Sequence, residues 1–298
     1  MKIFDLRSNS SFAQELAYLL SSHLIPVEKK VFPNQEVYVR LTEDVKGDDV
    51  IIVGTSYPNP NDRLFELFLA VDAAEHAGAK RIKAFIPYLA YGRQDRVQRE
   101  GEAVSALAVV RALGNAGLDE LYIADYHNPD LIPTMPVRTH NIMTARAIGE
   151  YLRSRYNLYD PIILVPGTKS LEGKYLARAR EAAEGAGSSC YTGYLKERDW
   201  ITGEVRTKKR EIGAKGKDVI VIDDEISTGE TVINALKMLE EEEPSRIFVG
   251  CTHGIFANDS LNRIRALGVS DVVCSDSIPS PVSKVHLAPL FKREAFNQ

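Results

Sequence analysis

The chain has 298 residues, of which 44% are hydrophobic and 26% are charged, and its formal net charge is −4. This length is enough for two ordinary hydrophobic cores. The slightly acidic balance excludes binding of nucleic acid or of an anionic membrane through overall charge, so any site for a polyanion has to be local.

The sequence has no feature of a secreted or membrane-embedded protein. It contains no stretch of eighteen apolar residues, and its first residues lack the apolar run of a signal peptide. The three cysteines, Cys190, Cys251 and Cys274, show no metal-binding spacing, and we expect reduced thiols. We therefore expect a cytoplasmic protein with no nucleic-acid or membrane partner.

Short β-branched runs alternate with helix-like segments along the chain. The predicted strands are 50–54, 81–87, 120–125, 162–166, 219–223, 247–251 and 271–276. The predicted helices are 12–24, 63–78, 103–117, 144–156, 171–187, 231–242 and 260–268. The strands are continuous apolar runs, which is typical of burial on both faces. This pattern predicts an α/β fold with mostly parallel sheets flanked by helices.

One segment occurs twice. Residues 46–51 read KGDDVI and residues 215–220 read KGKDVI, and each copy leads into an apolar strand, a loop with hydroxyl side chains and a helix. The repeat alone does not decide between duplication and chance. Together with the length, it favours two similar α/β domains, residues 1–145 and 146–298, with the last helix a candidate to pack back on the first domain.

The segment 219–231 carries the most chemistry. Its strand is predicted to end in two acids, and the following loop offers hydroxyls and a glycine before a helix; these residues are Asp223, Asp224, Ser227, Thr228, Gly229 and Thr231. Hydroxyls and backbone N–H groups at a helix N-terminus suit a phosphate monoester. Carboxylates suit the hydroxyls of a sugar or a phosphate-bound Mg²⁺ ion. The alternative is that these residues only cap the loop and the helix.

This segment resembles the ribose 5-phosphate-binding motif of type I phosphoribosyltransferases and phosphoribosyl pyrophosphate (PRPP) synthetases. A second segment, 86–96, reads IPYLAYGRQDR and resembles the stretch IPYxxYxRQDR of the PRPP synthetases, also called ribose-phosphate pyrophosphokinases. That resemblance extends over nearly the whole chain and implies two phosphoribosyltransferase-like domains. In this family the second stretch contacts ATP, which assigns Arg93, Gln94, Asp95 and Arg96 to the nucleotide. Planar guanidinium groups match phosphate oxygens in pairs. The alternative is a solvated polar loop.

Residues 32–36, FPNQE, resemble the family segment FxDGE, whose phenylalanine stacks on adenine across a subunit interface. The resemblance implies that Phe32, Asn34 and Glu36 bind ATP in a homo-oligomer with its nucleotide site near a subunit interface. Asn34 stands where the family has aspartate, and Gln35 stands where it has glycine. The choice of base is therefore less constrained than the binding of a nucleotide.

Three further residues are assigned by the resemblance. His127 follows the predicted strand 120–125 and matches a histidine that contacts the magnesium–ATP complex, so it is a candidate metal residue with Mg²⁺ as the cofactor. Lys196 and Arg198 match the catalytic flexible loop and are expected to close over the transferred group. The alternatives are a structural histidine and an ordinary charged hairpin.

The match is weakest after the strand 162–166, where the family has a PDxGG turn whose aspartate helps to bind ribose or magnesium. This chain reads PGTKSLEG over residues 166–173, and Glu172 is the candidate replacement. The implied reaction transfers pyrophosphate from ATP to the C1 hydroxyl of ribose 5-phosphate, giving PRPP and AMP. The alternatives are a PRPP-using phosphoribosyltransferase and a catalytically weak or silent regulatory homologue.

Overall fold

The computed structural model describes residues 1–6, 11–168, 170–171, 173–198, 205–208 and 210–296, with backbone only at 174–175, 196–198 and 205–208. Contacts between its elements divide the chain into two compact units. Unit 1 contains residues 1–142 and 286–298, and unit 2 contains residues 143–285. In the part of the chain that is described, no helix has the length and apolar character needed to cross a bilayer.

Strands and helices alternate along most of the chain. The strands are β1 (Lys2–Asp5), β2 (Leu24–Val31), β3 (Val37–Leu41), β4 (Asp49–Val53), β5 (Arg81–Phe85), β6 (Glu120–Ala124), β7 (Arg138–Ile142), β8 (Ile162–Thr168), β9 (Tyr191–Arg198), β10 (Val205–Lys208), β11 (Asp218–Ile226), β12 (Arg246–Gly254), β13 (Asp271–Ser275) and β14 (Ser283–Val285). The helices are α1 (Ser11–Leu19), α2 (Pro60–His76), α3 (Ser105–Asn115), α4 (Ala145–Arg155), α5 (Ala177–Ala186), α6 (Glu230–Glu240), α7 (Ser260–Arg265) and α8 (Ala288–Phe296). Each predicted strand and helix is present.

Unit 1 is built on a seven-stranded sheet in the order β3-β2-β1-β4-β5-β6-β7. Neighbouring strands are parallel except for the hairpin of β2 and β3. Side chains alternate between two cores: Ile52 packs with residues of α2 and α3, whereas Ile51 packs with residues of α1 and α8. On the second face, the rings of Phe12 and Phe291 lie 5.1 Å apart, which attaches the C-terminal helix to this unit.

Unit 2 repeats this arrangement with a seven-stranded sheet in the order β10-β9-β8-β11-β12-β13-β14. Here too a single pair, β9 with β10, is antiparallel among the described strands. The repeated KGxDVI segments lead into β4 and β11, which are the central strands of the two sheets. The predicted α/β class, with two mostly parallel sheets flanked by helices, is confirmed.

Helices α4 and α5 cover one face of the second sheet and approach each other closely. A Cβ atom on Gly149 would overlap the carbonyl oxygen of Ala182, and one on Gly185 would overlap that of Arg146. Glycine at both positions therefore lets the two backbones touch. The opposite face is covered by α6 and α7, where Val221 and Leu236 belong to one core.

The predicted end of the central strand of unit 2 is wrong by three residues. β11 continues through Asp223 and Asp224 to Ile226, because its backbone stays paired with β12 as far as Gly254. The two acids therefore belong to the last part of the strand, and the loop before α6 is reduced to 227–229. Ladder pairing with a neighbouring strand cannot be read from the local sequence.

Candidate active site

The short loop between β11 and α6 forms a tight turn at a helix N-terminus. Gly229 precedes the first helical residue with φ +76°, a left-handed conformation that glycine adopts without strain. The backbone N–H groups of the first helical turn have no partner within the helix, so they are available to an anion. Thr228 and Thr231 flank this turn, so two hydroxyl-bearing residues adjoin the N-terminus of α6.

Asp223 and Asp224 lie next to this loop. The backbone N–H of Asp224 donates to Oδ1 of Asp223 over 3.0 Å, and the Asp224 side chain is buried. Burial, together with the neighbouring Asp224 carboxylate, raises the pKa of Asp223 to about 7. Two adjacent carboxylates repel each other when both are ionised. A divalent cation, or hydroxyls that donate hydrogen bonds, would reduce that repulsion.

A residue without a predicted role contacts this acid pair. Arg178, near the start of α5, places its guanidinium Nη2 3.9 Å from Oδ2 of Asp224, and both side chains are largely buried. Its positive charge opposes the rise in the pKa of Asp223, which burial and the Asp224 carboxylate outweigh. Local sequence does not indicate this contact, because an arginine that meets a buried acid and a solvated arginine look alike within an alanine-rich helix.

In unit 1, the segment 91–96 folds into a loop fixed at several points. Gln94 donates from its backbone N–H to the Tyr91 carbonyl over 3.1 Å, and its own carbonyl accepts from Ala106 over 3.3 Å. The carboxylate of Asp95 accepts a 2.6 Å hydrogen bond from Asn128 and lies 3.4 Å from Nε of Arg96. Asp95 therefore holds the loop, while Arg93 and Arg96 are exposed.

This loop lies against the residues that follow β6. Gly92 is close enough to them that an added Cβ would be 3.2 Å from the Tyr126 ring and 3.6 Å from Cβ of His127. Burial raises the pKa of Tyr126 to about 12, with the Asp95 charge as a second cause. Tyr126 is thus a neutral phenol under the loop, and exposed His127 stands at its side. The structure brings the predicted residues 93–96 and His127 together.

The predicted adenine segment is the turn of the β2–β3 hairpin. Phe32 and Glu36 are joined by a 2.8 Å backbone hydrogen bond, and the Asn34 side chain accepts from the Glu36 N–H over 3.2 Å. Gln35 has φ +70°, in the left-handed region. Phe32 is 45% exposed and meets the Tyr38 ring edge-on at 6.2 Å.

The end of this hairpin extends beyond the neighbouring strand β1. β2 pairs with β1 only through Leu24, Ile25 and Pro26, and its last five residues, 27–31, pair with β3. At about 3.3 Å per residue, the arm extends roughly 16 Å past the end of β1. Strands β1 and β4 separate β2 from β5, a lateral distance of about 14 Å. The sheet therefore does not place the Phe32 turn and the 91–96 loop on neighbouring strands.

Comparison with known proteins identifies the family. Residues 1–117 match the model of the N-terminal domain of ribose phosphate pyrophosphokinase, and residues 211–291 match that of the phosphoribosyl synthetase-associated domain. A ribose-phosphate pyrophosphokinase of Thermococcus kodakarensis is 38% identical over 96% of this chain and 98% of the relative. The chain belongs to the ribose-phosphate pyrophosphokinase family. This family consists of enzymes, and the resemblance seen in the sequence is confirmed.

Two further members of the ribose-phosphate pyrophosphokinase family extend this result. The relative from Pyrococcus abyssi is 40% identical over 93% of each chain. The crystal structure of phosphoribosylpyrophosphate synthetase from Mycobacterium smegmatis matches with a TM-score of 0.85 and 25% identity, covering 98% of this chain and 96% of that one. Both units therefore have counterparts in a solved member of the family.

The ribose-phosphate pyrophosphokinase pattern is interrupted at the end of β8. The pairing of β8 with β9 shifts register between Val165 and Thr168, where one extra residue of β8 is accommodated in a bulge. The Thr168 hydroxyl donates to the Ser170 carbonyl over 2.9 Å, which closes a small turn. The sequence has no carboxylate from 162 to 171. Glu172, the candidate replacement, lies outside the described residues, as does Lys169.

The predicted catalytic residues of the ribose-phosphate pyrophosphokinase reaction lie on an edge hairpin. Lys196 and Arg198 belong to β9, opposite Thr207 and Val205 of β10. Their side chains, and the connecting residues 199–204, fall outside the part that the structure describes. The backbone of both residues lies within the last three positions of β9.

Proposed function

We propose that this chain transfers the pyrophosphate group of ATP to the C1 hydroxyl of ribose 5-phosphate, giving PRPP and AMP. The observation that carries the proposal is the acid pair beside a phosphate loop in unit 2, found in a chain that belongs to the ribose-phosphate pyrophosphokinase family. Such a transfer requires little covalent chemistry from the protein and depends on positioning and charge neutralisation.

Unit 2 binds ribose 5-phosphate in this proposal. The loop residues Ser227, Thr228, Gly229 and Thr231 hold the phosphate, because free N–H groups and hydroxyls meet at the N-terminus of α6. Asp223 and Asp224 accept hydrogen bonds from the sugar hydroxyls. The pair is kept partly ionised by Arg178, which lies 3.9 Å from Asp224.

Unit 1 binds ATP. Arg93, Gln94 and Arg96 contact its phosphate oxygens, and Asp95 fixes their loop through its hydrogen bond to Asn128. His127, exposed beside Gly92, donates to a phosphate oxygen of the metal–nucleotide complex. Each of these assignments is tested by substitution followed by ATP titration.

The arm carrying Phe32, Asn34 and Glu36 reaches the nucleotide of a second copy, so the chain acts as a homo-oligomer. The support is the arm's extension past β1 and the exposure of Phe32 at its tip. Complementation tests this: Phe32→Ala and Arg93→Ala should each be inactive, and an equal mixture of them, dissociated and reassociated, should regain roughly a quarter of the activity. No recovery on mixing would place both residues in a site made by one copy.

Mg²⁺ is the proposed cofactor. The carboxylate oxygens of Asp223 and Asp224 are the hard ligands that magnesium prefers, and the raised pKa of Asp223 marks a pair that a cation would relieve. His127 and Glu172 are the other candidate residues, of which Glu172 offers the more suitable oxygen ligand. The ion would neutralise charge on the transferred group. Lys196 and Arg198 would add positive charge at the same group.

The deciding experiment incubates the purified protein with ATP, MgCl₂ and ribose 5-phosphate and follows AMP and PRPP by chromatography. Equimolar AMP and PRPP are expected, and replacing ribose 5-phosphate by unphosphorylated ribose should remove both. ADP as the nucleotide product, or PRPP consumption without an ATP requirement, would contradict the proposal.

One observation favours a second candidate, a catalytically silent regulatory homologue. The family aspartate expected after residue 166 is missing, and the sequence 162–171 supplies no carboxylate in its place. A silent chain would bind ribose 5-phosphate without forming AMP, and it would change the activity of a ribose-phosphate pyrophosphokinase mixed with it.

A further inference from the structure

Helix α7 packs on the outside of the phosphate loop 227–229. Ser260, at the start of α7, is fully buried, and its hydroxyl donates to the Ser227 carbonyl over 2.7 Å. A Cβ atom on Gly229 would lie 3.1 Å from Cβ of Ser260 and 3.3 Å from Cδ1 of Ile264. The loop is therefore in direct contact with α7, through one hydrogen bond and close packing.

A second residue of α7 contacts the next peptide of the loop. Arg263 donates from Nη1 to the Thr228 carbonyl over 3.4 Å and from Nη2 to the Glu230 carboxylate over 2.6 Å. Glu230 is the first residue of α6, so its negative charge lies beside the turn that would hold a phosphate. Arg263 places a positive charge between this carboxylate and the loop, which reduces the repulsion.

The hydrogen bonds from Ser260 and Arg263 to the two loop carbonyls orient the loop peptides. In a planar trans peptide, the carbonyl oxygen and the following N–H point to opposite sides. Because the Ser227 and Thr228 carbonyls point toward α7, the N–H groups of Thr228 and Gly229 point away from it. Two N–H groups directed to the same side at a helix N-terminus form the concave donor set that binds a phosphate.

We propose that Ser260 and Arg263 are positioning residues for ribose 5-phosphate. They hold the carbonyls of the phosphate loop on the α7 side, and Arg263 also offsets the charge of Glu230. Neither residue needs to touch the substrate. The proposal rests on the proposed function, since it concerns the same phosphate loop. It places a determinant of phosphate affinity outside the motif at 223–231.

A set of four variants tests it: Ser260→Ala, Arg263→Ala, Glu230→Gln and the double variant Arg263→Ala/Glu230→Gln. We expect Ser260→Ala and Arg263→Ala each to raise the KM for ribose 5-phosphate about three- to tenfold, with the KM for ATP unchanged. Glu230→Gln should lower the KM slightly and should restore most of the loss in the Arg263→Ala background, because the repelling charge is gone. Arg265→Ala, which removes an exposed cation from the same helix, is the matched control and should have no effect.

Calorimetric titration of the same variants with ribose 5-phosphate gives the affinity without turnover. Arg263 and Glu230 are both solvent-accessible, so their variants are expected to fold, and thermal unfolding checks Ser260→Ala. Equal rises in both KM values, an unchanged Arg263→Ala, or a double variant no better than Arg263→Ala would overturn the proposal. A wild-type protein that binds ribose 5-phosphate without forming AMP would instead contradict the proposed function, and the calorimetric series would still decide the role of α7.

Discussion

The guanidinium of Arg178 lies 3.9 Å from the carboxylate of Asp224, and this contact joins α5 to the end of the central strand of unit 2. Both side chains are largely buried, so their attraction is less screened than that of a surface pair. The same guanidinium lowers the pKa of Asp223, but burial and the Asp224 carboxylate outweigh it, so Asp223 holds a proton up to near-neutral pH.

Removing the cation should therefore weaken substrate binding. We expect Arg178→Gln to raise the KM for ribose 5-phosphate about tenfold, because the acid pair loses a positive charge that favours its ionised form. Arg178→Lys should retain most of the affinity. Arg180→Gln is the control, since Arg180 is exposed on the same helix. A similar loss in Arg180→Gln would mean that the effect comes from helix α5 as a whole.

The raised pKa of Asp223 predicts a pH dependence of metal binding. A ligand carboxylate has to lose its proton before Mg²⁺ binds, so the affinity should rise as the pH increases through about 7 and level off above pH 8. Binding below pH 7 should release a proton, which calorimetry in buffers of different ionisation enthalpy measures. In Asp223→Asn the pH dependence should disappear together with much of the affinity. A wild-type affinity that stays constant from pH 6 to 8 would argue against a shared proton.

The same group should reduce stability at high pH. Because the folded pKa of Asp223 is raised above the ordinary value of 3.8, the folded state binds the proton more tightly, and its advantage is lost as the pH rises toward 7. Asp223→Asn removes the buried charge, so it should gain on the order of 1–2 kcal/mol in free energy of unfolding at pH 8 and little at pH 4. Denaturant titration at both pH values measures the difference. An equal gain at both would point to packing rather than charge.

The glycine contact between α4 and α5 predicts a large loss of stability on adding one methyl group. Gly185→Ala places a Cβ onto the backbone of Arg146, which cannot move without separating the helices, and should cost at least about 2 kcal/mol although alanine is the better helix former. Gly114→Ala is the matched control in α3, because its Cβ would meet only the Val137 side chain at 2.8 Å. Chemical denaturation should show a smaller change for Gly114→Ala than for Gly185→Ala.

Gln35 offers a test of the hairpin turn. It has φ +70° at a position where the family pattern has glycine. A side chain in this left-handed conformation costs about 1 kcal/mol. Gln35→Gly should leave the free energy of unfolding unchanged or slightly higher, whereas the β-branched side chain in Gln35→Val should lower it by about 1 kcal/mol. If both variants were equally stable, the turn in solution would have a different backbone.

The central strands could be predicted from the sequence, because burial on both faces leaves continuous apolar runs such as that of β11. Two outer strands could not: β2 is second from one edge of the first sheet, and β7 is at its other edge. β2 contains Glu28, Lys29 and Lys30, and β7 reads RTHNI. Neither composition is typical of a strand, so these segments are extended because they pair with neighbouring strands. In the same way, the motif residues at 223–231 were visible in the sequence, whereas Arg178, Ser260 and Arg263 reach this region only through the packing of α5 and α7.

Arg198 is the residue for which the proposed reaction makes the strongest kinetic prediction. A cation that meets negative charge on the transferred group acts mainly in the transition state, and such arginines contribute 10³–10⁵ in rate. Arg198→Ala should therefore reduce kcat by about 10³-fold or more, with the dissociation constant of ribose 5-phosphate nearly unchanged.

Arg210→Ala, which removes an exposed cation beyond β10, is the control and should keep its activity. Single-turnover measurement of AMP formation separates the chemical step from product release. Equal losses in kcat and in affinity would show that Arg198 binds the substrate in its ground state, and the hairpin of β9 and β10 would then be a binding element rather than a catalytic one.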